Sequence, residues 1–264
     1  DFAQRLADQL ETRIVELGPE TVAAFVAEPV VGASLGSQPA PAGYFKRVRE
    51  ICDRHGVLLI ADEVMCGMGR TGSLFALEQE GICADITTMA KGLGAGYQPI
   101  AAVMARESVI DAIMAGSGNL WNGHTYMSHA VATAGALAVL QEVESRDLLS
   151  AVRARGQQLE TALRERFGQH AHVGDIRGRG LFWSIELVAE RDSKTPFDVS
   201  RNLAGKIQRA AMEAGMICYP SQGCADGTAG DHVLLAPAFT SPPEEIDLIV
   251  DMLGAAVDQV IAKG

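Results

Sequence analysis

Apolar residues recur three or four positions apart at the start of the chain. Leu6, Leu10, Ile14 and Leu17 share one helical stripe, and Gly18-Pro19 stops it, so the spacing predicts a helix over 2–17. Val22–Ala27 is a short apolar run closed by Glu28-Pro29 and predicts a buried strand. Residues 43–55 mix charged and apolar positions as a surface helix does. Val57-Leu58-Leu59-Ile60-Ala61 is the clearest strand: it carries no polar alternation, so it reads as covered on both faces, and it ends in Asp62-Glu63. Residues 66–73 hold three glycines and read as a loop. Strands follow at Asp85–Met89 and Ile100–Met104, then a loop over 116–125, an alanine-rich helix from His129 to Glu142 and a long helix over 147–167.

Beyond that point the pattern changes. Asp175–Gly180 reads as a turn and Leu181–Val188 as a strand. A helix over 200–214, short strands near 216–219 and 232–236, and a helix over 243–262 complete the chain. The first part, with strands alternating with helices, predicts parallel βαβ units; the tail predicts a separate α+β domain. The division adopted is 1–160 and 161–264.

Composition narrows the function classes. The chain has 264 residues, 48% hydrophobic and 21% charged, which suits one large domain and a smaller one. A net charge of −11 without any basic stripe argues against a nucleic-acid partner. No apolar run approaches membrane-spanning length and no signal peptide is visible. The five cysteines are scattered without a CxxC pair, which indicates neither a metal site nor a disulfide framework and favours a reducing cytoplasm.

The candidate chemistry lies at strand ends. In parallel sheets ligands collect at the carboxyl ends of the strands, and Glu28, Asp62 and Lys91 all fall at or just past such ends. Lys91 lies in Thr87-Thr88-Met89-Ala90-Lys91-Gly92-Leu93-Gly94-Ala95-Gly96-Tyr97, twenty-nine residues after Asp62. A lysine on a small-residue loop can form a Schiff base with an aldehyde, and a carboxylate at a strand end can keep a pyridinium nitrogen protonated. Pyridoxal phosphate chemistry needs both. Each residue also has a plainer reading. Lys91 alone is a solvated loop lysine; Asp62 alone is a helix cap or a metal ligand. Gly92, Gly94 and Gly96 lack the context of a dinucleotide fingerprint. His124-Thr125 before a helix suits a phosphate as well as an ordinary cap.

Together these segments resemble the class III, or omega-type, aminotransferases of fold type I, which depend on pyridoxal phosphate. The resemblance rests on Val26-Ala27-Glu28-Pro29-Val30, on Leu59 through Gly72 with its Asp62-Glu63-Val64-Met65-Cys66-Gly67, on Asp85 through Ile100 around Lys91, on Gly123-His124-Thr125-Tyr126 and on Arg177-Gly178-Arg179-Gly180-Leu181, in the family's order. It implies an α/β fold: a mostly parallel sheet with helices on both faces, incomplete at the N-terminus, plus a C-terminal α+β small domain. It implies that Lys91 forms the Schiff base and shuttles a proton, that Asp62 pairs with the ring nitrogen, and that Val64 packs on the ring. Thr125 would bind the cofactor phosphate of the neighbouring subunit in a homodimer. Glu28 would lie on the substrate side, or simply bond neighbouring main chain. For Arg177 and Arg179 a surface ion pair is the expectation, ahead of a substrate carboxylate.

Two departures from the family pattern shape the expected activity. The family's chains extend further at the N-terminus, where a Gly-Ser loop and a stacking aromatic residue hold the cofactor. The chain therefore reads as a C-terminal portion that binds pyridoxal phosphate poorly alone and docks against a second copy or a chain carrying the missing part. The ornithine-type arginine before Ala-Pro is also replaced, by Leu234 in His232-Val233-Leu234-Leu235-Ala236-Pro237. That removes a charged carboxylate clamp and favours an amine or ω-amino acid donor with a keto acid such as pyruvate as acceptor. An aminomutase or decarboxylase on the same framework, or a truncated non-catalytic subunit, are the alternatives.

Overall fold

A computed structural model describes residues 2–262. In chain order the elements are α1 (Phe2–Leu17), β1 (Ala24–Ala27), β2 (Val30–Val31), β3 (Gln38–Pro39), α2 (Tyr44–His55), β4 (Leu58–Asp62), β5 (Ile86–Met89), β6 (Ala102–Ala105), α3 (Glu107–Ala115), α4 (Ala130–Ser145) and α5 (Leu148–Phe167). They continue with β7 (Val173–Arg179), β8 (Phe182–Leu187), α6 (Leu203–Glu213), β9 (Tyr219–Gln222), β10 (Asp231–Leu235) and α7 (Pro243–Ala262). The contacts divide the chain into two compact units. One holds the chain up to Pro29, Ala40–Gly69 and Ser73–Arg146; the other holds Val30–Pro39, Arg70–Gly72 and the chain from Asp147.

The first unit is built on a four-stranded sheet in the order β1-β4-β5-β6. β1, β4 and β5 run parallel, as the βαβ pattern predicts. β6 returns antiparallel to β5 across a short connection that has no crossover helix. Phe25, Ala27, Leu59 and Ala61 share one face and pack in a core with Ile14 of α1 and Phe45, Val48 and Ile51 of α2. Gly56 closes α2 in the left-handed conformation at φ 68°, its N–H donating to Cys52 O.

The opposite face corrects the expectation that β4 is covered on both sides. Leu58, Ile60 and Asp62 alternate with the buried Leu59 and Ala61 and are only half-buried. On that same face Val26 is 59% exposed and Val103 67% exposed. A run of apolar residues predicts two-sided cover only when both layers are present. Helix α3, absent from the sequence reading, buries none of its residues, and α4 buries only Ala132 and Ala136.

The second unit is a four-stranded antiparallel sheet in the order β7-β8-β10-β9, with the β2–β3 ribbon belonging to the same unit. All of β10 is buried, as is β8 apart from Glu186. Helices α5, α6 and α7 complete its core through Leu159, Leu163, Phe167, Ile207, Ile246 and Leu253. Gly180, at φ 60°, is required: a Cβ there would lie 2.6 Å from the carbonyl carbon of Thr71.

Residues 173–179 form strand β7, although their polar spacing suggests a turn. Arg177 is buried, not a surface ion-pair residue. Its guanidinium pairs with Asp175 at 3.1 Å and with Glu186, and it donates to Gly36 O at 2.8 Å and to Leu35 O. A buried cation persists only when it is paired and hydrogen-bonded in this way. Here that satisfaction fastens the 30–39 segment within its unit.

Candidate active site

The parallel register assembles the predicted residues from the backbone upward. Ala27 at the end of β1 pairs with Ala61, and Asp62 at the end of β4 pairs with Thr88 of β5. Glu28 follows Ala27 directly, and Lys91 stands three residues past Thr88. Glu28, Asp62 and Lys91 therefore emerge from the carboxyl ends of three adjacent parallel strands, the edge where such sheets bind ligands.

Asp62 is half-buried and held in a fixed direction. Its Oδ1 accepts from Val64 N–H at 3.0 Å and lies 3.4 Å from Thr88 Oγ1. Val64, two residues on, is half-buried and orients the carboxylate through its own backbone. Lys91 is exposed, and its side chain makes no hydrogen bond or ion pair among the described residues. Its backbone has φ 42°, a left-handed conformation that costs a non-glycine residue about 1–2 kcal/mol. Strain of that kind is sustained by its surroundings. Leu93 N donates to Ala90 O at 2.9 Å and Gly94 N to Lys91 O at 3.1 Å, closing a tight turn. Gly94 admits no side chain, since a Cβ would meet Gln98 O at 2.5 Å.

Thr125 follows β6 and α3 in the chain. It lies in an exposed turn in which Met127 N donates to His124 O at 3.0 Å, and no hydrogen bond joins it to Asp62, Lys91 or Glu28 among the described residues. Two residues that the sequence reading gave no role are part of this site. Thr88 supplies the hydroxyl beside Asp62; the matching register of the two strands was the signal for it. Glu63 is fully buried, and its carboxylate accepts from Ala76 N at 2.8 Å and Leu77 N at 3.0 Å. Burial pushes its pKa up, partly opposed by those backbone N–H groups and the Cys66 thiol.

The donor set suits a pyridine-aldehyde cofactor: a free primary amine and a neighbouring oriented carboxylate on adjacent strand ends can engage an aldehyde and a ring nitrogen. Among the described residues no group of three or more His, Cys, Asp or Glu is placed to hold a metal, and no helix is long and apolar enough to cross a membrane.

The chain is similar to several known proteins. The family model described as "Aminotransferase class-III" matches residues 1–257. An aminotransferase of Gibberella zeae is 47% identical over 265 residues, covering 100% of this chain and 52% of that protein. A transaminase from the marine bacterium Virgibacillus superposes with a TM-score of 0.92 at 32% identity, covering 99% of this chain and 58% of that one. The omega transaminase of Pseudomonas jessenii in complex with PMP gives a TM-score of 0.88 at 38% identity, covering 98% and 56%. The chain thus spans about half the length of the curated relatives it matches.

Proposed function

The chain belongs to the class-III aminotransferase family, and on that premise we propose that it takes part in pyridoxal phosphate-dependent transfer of an amino group from an amine or ω-amino acid to a keto acid such as pyruvate. The observation that carries this reading is the placement of Lys91 and Asp62 at the carboxyl ends of neighbouring parallel strands, with Glu28 on the third.

When bound, the cofactor supplies an aldehyde for the amino group and a ring that accepts the electron pair left by deprotonation. Lys91 Nζ is the group that would hold the cofactor at its aldehyde and would carry a proton at the substrate carbon. Asp62, oriented by Val64 N–H and Thr88 Oγ1, holds a proton on the ring nitrogen through a charge-assisted hydrogen bond. Val64 would pack against the ring, and Glu28 would lie toward the substrate. Thr125, exposed, contributes to the phosphate site of a second subunit in a homodimer. The exposed thiol of Cys83 suits a reducing cytoplasm.

The test is product analysis of the protein supplied with pyridoxal phosphate, an amine donor and pyruvate. The expected outcome is equimolar alanine and carbonyl product, with Asp62→Asn lowering kcat/KM about a hundredfold or more, the loss of a charge-assisted contact at the reacting centre. Release of CO₂, or recovery of a positional isomer of the donor, would assign a decarboxylase or aminomutase instead.

A further inference from the structure

Resting on the reading of Lys91 as the cofactor lysine, the geometry points to Glu63 as a positioning residue that links the Asp62 strand end to the Lys91 turn. Glu63 follows Asp62 in the chain and points to the opposite face of the strand, where it is fully buried. A buried carboxylate without a cation must be satisfied by hydrogen bonds, and here the donors come from a single loop. Oε2 accepts from Ala76 N at 2.8 Å and lies 3.5 Å from Cys66 Sγ; Oε1 accepts from Leu77 N at 3.0 Å. Glu63 therefore fastens both ends of the 66–77 loop to the end of β4.

The loop carries that restraint to Lys91. Gly67 N donates to Glu63 O at 2.9 Å, and a Cβ on Gly67 would come within 2.6 Å of the same oxygen, so only glycine admits the approach. The next residue, Met68, is buried against Met89 and Leu93, which flank Lys91 in the chain. Gly92 leaves only 3.0 Å between the place of its absent Cβ and Met68 Cβ. The turn that holds Lys91 at φ 42° is thus braced from below by a loop that Glu63 secures. Glu63 touches neither substrate nor cofactor in this account; it acts through Met68 and the Lys91 turn.

The experiment is borohydride trapping of pyridoxal phosphate, with the label mapped by mass spectrometry across Lys46, Lys91, Lys194, Lys206 and Lys263, in wild type and Glu63→Gln. Amide hydrogen exchange is followed on the same samples. Glutamine turns an NH₂ toward one of the two backbone N–H donors. The expected result is lost protection at Ala76 and Leu77 and at least a fivefold fall in the share of label at Lys91, while Lys46, on α2 of the same unit, is labelled as before. A Lys91 share unchanged in Glu63→Gln would overturn the inference. Preferential labelling absent already in wild type would instead overturn the functional reading on which it rests. Should Glu63→Gln not fold, Met68→Gly asks the same question with Glu63 intact, at a backbone φ of 54° that glycine adopts freely. A fall in the Lys91 share supports the brace and an unchanged share overturns it.

Discussion

The two units bury their apolar residues to different degrees. The second closes on itself: β10 is wholly buried, β8 nearly so, and three helices share one continuous core with them. The first leaves one sheet face only partly covered and two helices with little or nothing buried. Val103, Met114, Leu120 and Trp121 are exposed at 67%, 60%, 67% and 84%, and α3 buries nothing. Every residue proposed to handle the cofactor lies in this open unit, and Asp62 and Thr88 lie on the same sheet face as Val26 and Val103. Val103, Met114, Leu120 and Trp121 are thus large apolar side chains left open to solvent within one unit. The second unit is the better packed; the first carries the residues of the proposed chemistry beside apolar side chains that the chain itself leaves exposed.

Substitutions break or sharpen that contrast. Phe167→Ala in the closed core should cost about 4 kcal/mol, by lost burial plus the cavity left behind, measured as denaturant unfolding followed by Trp183 fluorescence. A cost near zero would mean that the second unit is not the independent core described.

The next largest effect depends on pH. His232 is fully buried with neither ring nitrogen hydrogen-bonded, and burial, then the Arg177 charge, pulls its pKa down to about 4. The unfolded chain takes up that proton near pH 6.5, so this side chain adds no pH-dependent cost well above pH 6.5 and destabilises the fold progressively as pH falls toward 4. The loss reaches about 3 kcal/mol. His232→Leu should remove that share of the acid sensitivity in the Trp183 transition; an unaltered pH slope would show that other groups carry it.

Gly180→Ala follows at about 2 kcal/mol, from its left-handed backbone and the close approach to Thr71, with the unfolding midpoint as the readout. Smallest is Val103→Ser on the bare face, expected to change the stability of this chain by less than about 0.5 kcal/mol. A large loss there would mean that the face is already covered.

The sequence made some of this legible and not the rest, for physical reasons. The β1, β4 and β5 strands and the acid and lysine beyond them were readable because apolar runs mark buried strands and charges at their ends stand out. The direction of β6 was not, because periodicity carries no strand polarity. Strand β7 was hidden by Asp175, Arg177 and Arg179, whose charges resemble a turn until Arg177 is seen to be buried against Glu186 and two carbonyls. Helix α3 gave no cue that the pattern could use, since its apolar residues face no core. Glu63 read as part of a strand-end dipeptide because its partners, Ala76 and Leu77 N–H, are defined only once the loop is folded.

The central claim is that Lys91, beside Asp62, is the lysine that bonds the cofactor aldehyde. Its most direct test is an absorption scan of the protein with pyridoxal phosphate before and after borohydride, with the labelled peptide identified and Lys91→Ala as the control. The account predicts, with pyridoxal phosphate in large excess over the weakly binding protein, a visible band that borohydride converts to a covalent label on Lys91, and neither in the variant. A label spread evenly over the lysines, or one that persists in Lys91→Ala, would contradict it.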